Sequence, residues 1–587
     1  MAPPAQPTVD YQAIARAILD GFDKHYRLFR AISSEAKGRF ERGDWAAAHR
    51  ARIERIDMYD QRVREGVAVL AERHPEAMSD ANWPGIKSAY IGLLVNHQQP
   101  ELAETFFNSV ACRLLSRTYY NNRHIFWRPA ISTEHIESLQ RTYRSYYPAQ
   151  DGLRATVRAI LLDLQLALDF EDLDRDVAAV IHAMSKFLPR PLEVHPNVQV
   201  QTLSSLFYRN QAAYLVGRII NGNERTPFAV PFRQNAQGRV YLDTLLLHRQ
   251  ELGGLFSLSR AYFMVDMEVP SAFVNFLKSI FPDKPSAELY ISLGLQKQGK
   301  TLFYRDLAEH LKYSSDKFVQ APGVPGMVMT VFTLPSFPFV FKIIRDRFEP
   351  PKDTDRASVV AQYRLVKLHD RAGRMSDTLE YSDVALPLSR FSQGLLDELQ
   401  AKAGSMLERT VDKLIIKHLY IERRLTPLDI FLAGAKNDET TIRNALREYG
   451  NCIRELAYAD IFPGDLLLKN FGVTRYGRVV FYDYDEIAPL SAINFRKMPQ
   501  AIHDEDEYAK EPWFHVGPKD VFPEEIPTFV FPNARWKEIF EEEHPDLFTA
   551  QFWQSIQKRV GAGEQIAFYP YPSARRFAHQ HWGEVPK

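Results

Sequence analysis

Asp465-Leu-Leu-Leu-Lys-Asn470, followed further on by Asp483-Tyr484-Asp485, decides the reading of this chain. The segment between them, Phe471-Gly-Val-Thr-Arg-Tyr-Gly-Arg-Val-Val-Phe-Tyr482, has two short apolar runs separated by Arg475-Tyr-Gly477. That is the pattern of two strands joined by a tight turn. A hairpin there folds Asp483 back beside Asn470. Two oxygen ligands on adjoining loops, completed by phosphate oxygens, suit a hard octahedral cation such as Mg2+, with Mn2+ as a substitute. The expectation is metal-dependent phosphoryl transfer, with Asn470 and Asp483 as metal ligands and Asp465, five residues before Asn470, receiving or orienting the acceptor hydroxyl.

The same spacing occurs in protein kinases, with two departures. Pro463-Gly464 stands where His-Arg is usual, and Tyr484-Asp485 replaces Phe-Gly. Alternation along a strand puts Asp483 and Asp485 on one face, which makes Asp485 a third candidate catalytic residue as an extra base or water-orienting group. A kinase-like reading requires a nucleotide-gripping lobe upstream. Ala321-Pro322-Gly323-Val324-Pro325-Gly326-Met327 is a Gly/Pro turn leading into an apolar run and is expected to bind ATP. Lys342, inside Phe339-Val-Phe-Lys-Ile-Ile344, is a charge in an apolar strand that needs a partner such as ATP phosphate. The segment from Asp355 to Asp370 has helical periodicity through Val359, Tyr363 and Val366. It contains no Glu to pair with Lys342, leaving Gln362, a terminal Asp or an outside residue for that role. Lys413 to Glu422 reads as a strand ending in a hinge, Arg423 to Pro427, that offers backbone groups to adenine.

Together with Phe341-Lys-Ile-Ile-Arg-Asp-Arg-Phe348, Arg374-Met-Ser-Asp-Thr-Leu-Glu380 and Tyr420-Ile-Glu-Arg-Arg-Leu-Thr-Pro427, these motifs make the chain resemble the isocitrate dehydrogenase kinase/phosphatase family over essentially its full length. Pro463-Gly464 and Tyr484-Asp485 fit that family's pattern. The resemblance implies one site that phosphorylates a serine of isocitrate dehydrogenase with ATP and also removes the phosphate, diverting carbon between the tricarboxylic acid cycle and the glyoxylate bypass. It places nucleotide binding on Ala321 to Met327 and Lys342, and phosphatase action on Asp377. It also implies ADP and AMP as nucleotide ligands or effectors, AMP binding near the junction of two domains. A substrate-recognition segment is implied in the C-terminal hundred residues, where His503-Asp-Glu-Asp-Glu507, Trp513-Phe-His515 and Phe522-Pro-Glu-Glu-Ile-Pro527 mix aromatic and charged residues.

At 587 residues the chain exceeds what one core usually supports. The expected fold is α+β: a mostly helical N-terminal regulatory domain, 1–314, with a small β-rich element, then a bilobal protein-kinase-like domain, 315–587. Lys plus Arg and Asp plus Glu balance at 73 each, which gives no basis for nucleic acid or anionic membrane as partners. Only Cys112 and Cys452 occur, and the N-terminus lacks a secretion pattern, so a cytoplasmic, disulfide-free enzyme is expected.

Long apolar stripes run from Ile14 to Phe29, Trp45 to Glu72 and Leu153 to Phe187, and short strand-like runs from Val198 to Leu247 turn at Asn221-Gly222 and Asn235 to Gly238. A helix is expected from Ser271 to Phe281. Two rival readings remain. Gly294-Leu-Gln-Lys-Gln-Gly-Lys-Thr301 matches a P-loop between a strand-like run, Leu289 to Leu293, and a helical one. A catalytically dead kinase fold that binds partners is the other, against which stands the joint presence of Lys342, Asp465, Asn470 and Asp483.

Overall fold

Helical spacing of apolar residues organises the start of the chain. The computed structural model describes residues 9–115, 123–134, 136, 138–188, 197–256, 262–323, 325–348, 350, 352, 354–369, 371–436, 438–499, 514–564 and 566–579. Val324, the His503 to Glu507 run and Trp513 therefore lie outside the described residues. Tyr11–Ser34 and Trp45–Arg73 are helices capped by Asp10 and Asp44, whose carboxylates accept the Ala13 and Ala47 amides. The stripe of Ile14, Ile18, Phe22, Tyr26 and Phe29 is buried, facing helices that include Trp83–Leu94 and Pro100–Leu114. The periodic stretch 153–187 is two helices, Leu153–Leu162 and Leu173–Phe187; the chain turns between them at Gln165, which has a left-handed φ of 49°.

The β-rich element is an antiparallel sheet ordered Tyr143–Tyr146, Gln199–Leu203, Ala212–Asn221, Glu224–Gln234, Val240–Leu242, with Phe207–Arg209 also paired to Ala212–Asn221. Gly222 and Gly238, with φ of 59° and 74°, make its two expected turns. The run Leu289 to Leu293 corrects its expected strand: Ser286–Ser292 is a helix, closed by Gly294 at φ 82°, and Gln296–Tyr313 is the next. Gly299 is where these helices touch, since a Cβ there would come within 2.3 Å of Ile291. Gln298 and Thr301 meet the Thr105 hydroxyl at 2.5 and 3.1 Å. From Gln296 on, the P-loop match is thus a helix with side chains turned into a helical core, and no phosphate-cradling loop forms there.

The described residues form two units: 9–256, 262–314 and 569–579 make one, and the described part of 315–568 the other. Residues 569–579 thus belong with the first unit rather than with the rest of the C-terminal part. Asp243 binds them there, accepting from Tyr571 Oη at 2.6 Å and Arg576 Nε at 2.9 Å, while Arg233 lies 3.5 Å away. Arg233 and Arg576 also flank the Tyr569 ring, at 3.9 and 4.2 Å from its centroid. Asp243→Ala leaves Arg233 buried without its carboxylate, an expected cost of about 3–5 kcal/mol. Hydrogen exchange should then show 569–577 opening well before the rest of the unit; unchanged protection would refute this anchoring.

In the second unit an antiparallel sheet runs Thr378–Pro387, Lys413–Arg423, Phe339–Ile344, Met329–Thr333, Val319–Gln320. Helix Arg356–His369 buries Val359, Tyr363 and Val366. A helical part follows, with Leu428–Gly434, Glu439–Tyr458, Ala534–Glu543 and Ala550–Gly561 around the hairpin Phe471–Val473 and Val479–Phe481. The fold is α+β, and among the described residues no helix is long and apolar enough to cross a membrane.

Candidate active site

The hairpin forms with Phe471 opposite Phe481 and Val473 opposite Val479. Gly477, at φ 77°, closes the turn by donating its amide to the Thr474 carbonyl at 2.9 Å. One step beyond the ladder, the Tyr482 amide donates to the Asn470 carbonyl at 3.1 Å, which brings the Asn470 turn against the residue before Asp483. Asp465 accepts the Leu467 amide at 2.9 Å, and the Asn470 side-chain amide points to the Asp465 carbonyl at 3.5 Å. Tyr449, buried in helix Glu439–Tyr458, donates its hydroxyl to the Leu466 carbonyl at 2.5 Å. The loop that carries Asp465 is therefore braced from within by hydrogen bonds.

Gly464 explains one departure from the usual kinase sequence. Its φ is 80°, and a Cβ there would lie 2.4 Å from the Glu486 carbonyl oxygen. Only glycine allows this approach of the Asp465 loop to the Asp485-Glu486 turn. Gly464→Ala should therefore cut turnover by about 10²-fold through displacement of Asp465, with a smaller change in nucleotide affinity. Steady-state kinetics of the purified variant check this; wild-type turnover would contradict it.

Asp483 and Asp485 do come together, but by a different route from the one expected. The strand ends at Phe481, and the irregular stretch 482–484 leads into a turn at 485–486, with the Asp485 amide donating to the Asp483 carboxylate. Burial raises both carboxyls above the usual range; the neighbouring Asp483 charge helps bring Asp485 to about 7, while Lys352 and Lys342 oppose the rise. Lys352 is itself ion-paired to Glu486. Crowded carboxylates of this kind favour a bound cation or cationic side chain.

Lys342 answers the question left by its glutamate-free helix. Its Nζ lies 2.8 Å from Glu422 Oε2 and donates to the Tyr482 carbonyl at 3.2 Å. Glu422 comes from the neighbouring strand: Tyr420 is opposite Lys342, and Glu422 is two residues on, hence on the same face. Thr378, opposite Glu422 one strand further, donates its hydroxyl to Glu422 Oε1 at 3.1 Å. Glu422 and Thr378 are each 2% exposed, so the pair is shielded from water. Gln362, the alternative within the helix, has a buried Oε1 without a hydrogen-bond partner among the described residues. That helix instead inserts Tyr363, stacked on Tyr420 at 4.2 Å and edge-on to Tyr484 at 5.1 Å.

Asp377 is buried at the start of Thr378–Pro387. The residues around it tie it to the same place. The Ser376 amide donates to the Phe481 carbonyl at 3.0 Å, and the Tyr484 hydroxyl to the Ser376 carbonyl at 2.6 Å. Arg374, whose carbonyl accepts the Phe481 amide at 2.8 Å, is fixed by Glu448 and Glu455, each at 2.7 Å. The backbone thus sets Asp377 between Glu422's partner Thr378 and the turn that carries Asp483. The loop Ala321 to Met327 joins Val319–Gln320 to Met329–Thr333; its described residues are mostly exposed, and Gly323 has φ 118° with open space around it.

An all-oxygen donor pair, Asn470 and Asp483, fits a hard cation that completes its shell from phosphate and water. Among the described residues no group of three or more His, Cys, Asp or Glu is arranged to hold a metal by itself, so substrate oxygens would have to contribute.

The chain matches two family models along most of its length. Residues 15–315 match the isocitrate dehydrogenase kinase/phosphatase (AceK) regulatory domain, and residues 316–573 the kinase domain of the same family. A relative from Azoarcus sp. (strain BH72), named isocitrate dehydrogenase kinase/phosphatase, is 54% identical over 568 residues, covering 97% of this chain and 96% of its own. Relatives of that name from Aromatoleum aromaticum and Burkholderia mallei are each 53% identical over 569 residues, covering 97% and 96% of this chain and 96% and 94% of their own. With both domains matched in order and the lysine, carboxylates and asparagine gathered in the second unit, the chain belongs to the isocitrate dehydrogenase kinase/phosphatase family.

Proposed function

We propose that this protein phosphorylates isocitrate dehydrogenase on serine with ATP and dephosphorylates it at the same site, setting flux between the tricarboxylic acid cycle and the glyoxylate bypass. Family membership supports the activity. The single structural observation that carries the reading is the bond from Lys342 Nζ to the Tyr482 carbonyl, which puts a paired, buried cation beside the residue preceding Asp483. Lys342 offsets charge on the ATP phosphates, and Glu422 and Thr378 hold it in place. Asp465 orients the serine hydroxyl and takes its proton as the serine oxygen bonds to the γ-phosphorus; the bond to the bridging oxygen breaks and ADP leaves. Asn470 and Asp483 would hold Mg2+ or Mn2+, which neutralises developing phosphate charge when bound.

In the reverse direction the phosphoserine phosphate occupies the γ-phosphate position. Asp377 and Asp485 position the attacking oxygen, from water or from ADP, and Asp465 returns a proton to the serine. Asp377→Ala should lower phosphate release by about 10²-fold or more and spare phosphorylation; equal loss in both directions would refute a separate role. AMP and ADP act as nucleotide effectors of the balance, and the aromatic and charged segment within the C-terminal hundred residues serves substrate docking, since a folded partner needs contact area well beyond one serine.

The test is to incubate the protein with γ-labelled ATP, Mg2+ and isocitrate dehydrogenase, then remove ATP and add ADP with AMP. Label should enter the dehydrogenase and then leave it. No incorporation would sink the proposal.

A further inference from the structure

His544 closes the helix Ala534–Glu543 and is 4% exposed. Its ring sits in a notch of the helix Glu439–Tyr458 made by Gly450, where a Cβ would come within 2.1 Å of the imidazole. Glycine weakens a helix interior, and this one gives the ring its place. Both ring nitrogens are engaged. Nε2 lies 3.0 Å from the Arg447 carbonyl, which can only accept, and Nδ1 lies 3.3 Å from Arg454 Nη2, which can only donate. Nε2 therefore carries the proton and Nδ1 is bare, the one neutral tautomer that suits both partners. A second proton on Nδ1 would face a guanidinium and find no acceptor there.

The groups that face the ring, among the described residues, are Arg447 and Arg454 on Glu439–Tyr458 and Glu543 and Asp546 on its own side. Both carboxylates are already taken: Glu543 by Arg447 at 2.8 Å and Arg443 at 3.0 Å, Asp546 by the two terminal nitrogens of Arg454 at 2.5 and 2.8 Å. Burial foremost, and then the Arg454 charge, lower the imidazole below its ordinary range, against the Arg447 carbonyl and the two carboxylates. The unfolded chain takes up this proton near pH 6.5 and the folded chain only at lower pH. The stability that neutral His544 contributes is thus complete above the ordinary range and is lost as pH falls below it.

Behind the ring lies a path to the loop that carries Asp465. Phe540, one turn earlier on the same helix, has its ring centroid 5.2 Å from His544 and 5.2 Å from Tyr449, and both Phe540 and Tyr449 are buried. Tyr449 donates its hydroxyl to the carbonyl of Leu466, the residue after Asp465, at 2.5 Å. Close-packed interiors transmit displacement rather than absorb it. A ring expelled from the Gly450 notch moves Phe540, and Phe540 seats the tyrosine.

We propose that His544 is a positioning residue for the Asp465 loop. Neutral, it locks Ala534–Glu543 to Glu439–Tyr458 and keeps Tyr449 on the Leu466 carbonyl; protonated, it leaves the notch and loosens the loop, so that turnover falls in acid without loss of nucleotide binding. This rests on Asp465 as the residue that orients the serine hydroxyl.

The test measures kcat and KM for ATP in phosphorylation of isocitrate dehydrogenase from about pH 8 to about pH 5, for the full-length natural chain, His544→Gln, Tyr449→Phe and the double variant. One preparation of the dehydrogenase serves all four, so its own pH dependence cancels in ratios. Gln keeps the donor to Arg447 and does not titrate. The ratio of His544→Gln kcat to natural kcat should rise about fivefold across that range, with the KM ratio for ATP constant. Tyr449→Phe lacks the last link, so adding His544→Gln to it should change nothing at either end. A kcat ratio that does not change with pH would overturn the assignment, and so would an acid advantage that survives in the Tyr449→Phe background. If His544→Gln does not fold, as judged by its melting temperature, the ratio of Tyr449→Phe to natural kcat takes its place; it should rise as pH falls, and a constant ratio would overturn the assignment. Turnover of Asp465→Asn at the natural rate would instead overturn the reading beneath it.

Discussion

Asp483→Asn is expected to remove phosphorylation and dephosphorylation together, each by about 10³-fold or more. The carboxylate is the only charged ligand proposed for the metal, and both directions pass through a similarly charged phosphoryl transition state. Folding should survive the change. Burial already disfavours the ionised form of Asp483, so an amide of the same shape takes away a charge that the folded chain does not welcome. Label incorporation into isocitrate dehydrogenase and label release from it, measured on one preparation with its melting curve, check the prediction. Retention of either activity at the natural rate would mean that Asp483 does not serve that direction.

Glu422→Ala should strongly destabilise the second unit. Lys342 is left with its ammonium largely buried and, among the described residues, with the Tyr482 carbonyl as its remaining acceptor after losing a carboxylate at 2.8 Å. Removing one partner of such a pair costs about 3–5 kcal/mol. Activity should fall as well, because Lys342 then lacks the group that fixes its position for the phosphates. Denaturant unfolding and ATP binding report the two effects separately. Glu422→Gln keeps a hydrogen-bond acceptor and should restore most of the stability while still weakening ATP binding. If Glu422→Ala unfolded like the natural chain, the pair would not be the buried strut described above.

The sequence made local geometry legible and left long-range pairing obscure. Asp465, Asn470 and Asp483 lie within one loop and hairpin, where turn residues and apolar runs determine what meets what. Lys342 stood out as a charge inside an apolar strand. Its partner did not, because antiparallel register is set by packing across the sheet: Tyr420 opposite Lys342 places Glu422 on the right face, and no local pattern encodes that. The signal available was Glu422 itself, an acid at the end of the strand-like run Lys413 to Ile421. Asp377 had no local signature either, since the bonds that seat it come from Phe481, Tyr484 and Glu422 through their neighbours. The run Leu289 to Leu293 illustrates a different ambiguity: a short apolar stretch suits a buried helix as well as a strand. The helix won because Gly299 lets Gln296–Tyr313 pack closely on Ile291.

One site for both directions is the central claim, and covalent labelling of Lys342 tests it most directly. An ATP-shaped sulfonyl fluoride that reacts with the lysine amine should inactivate phosphorylation and dephosphorylation in step, with one label per chain found by mass spectrometry on Lys342 and with ATP protecting both activities. Dephosphorylation that persists at its full rate in fully labelled protein would contradict a shared site.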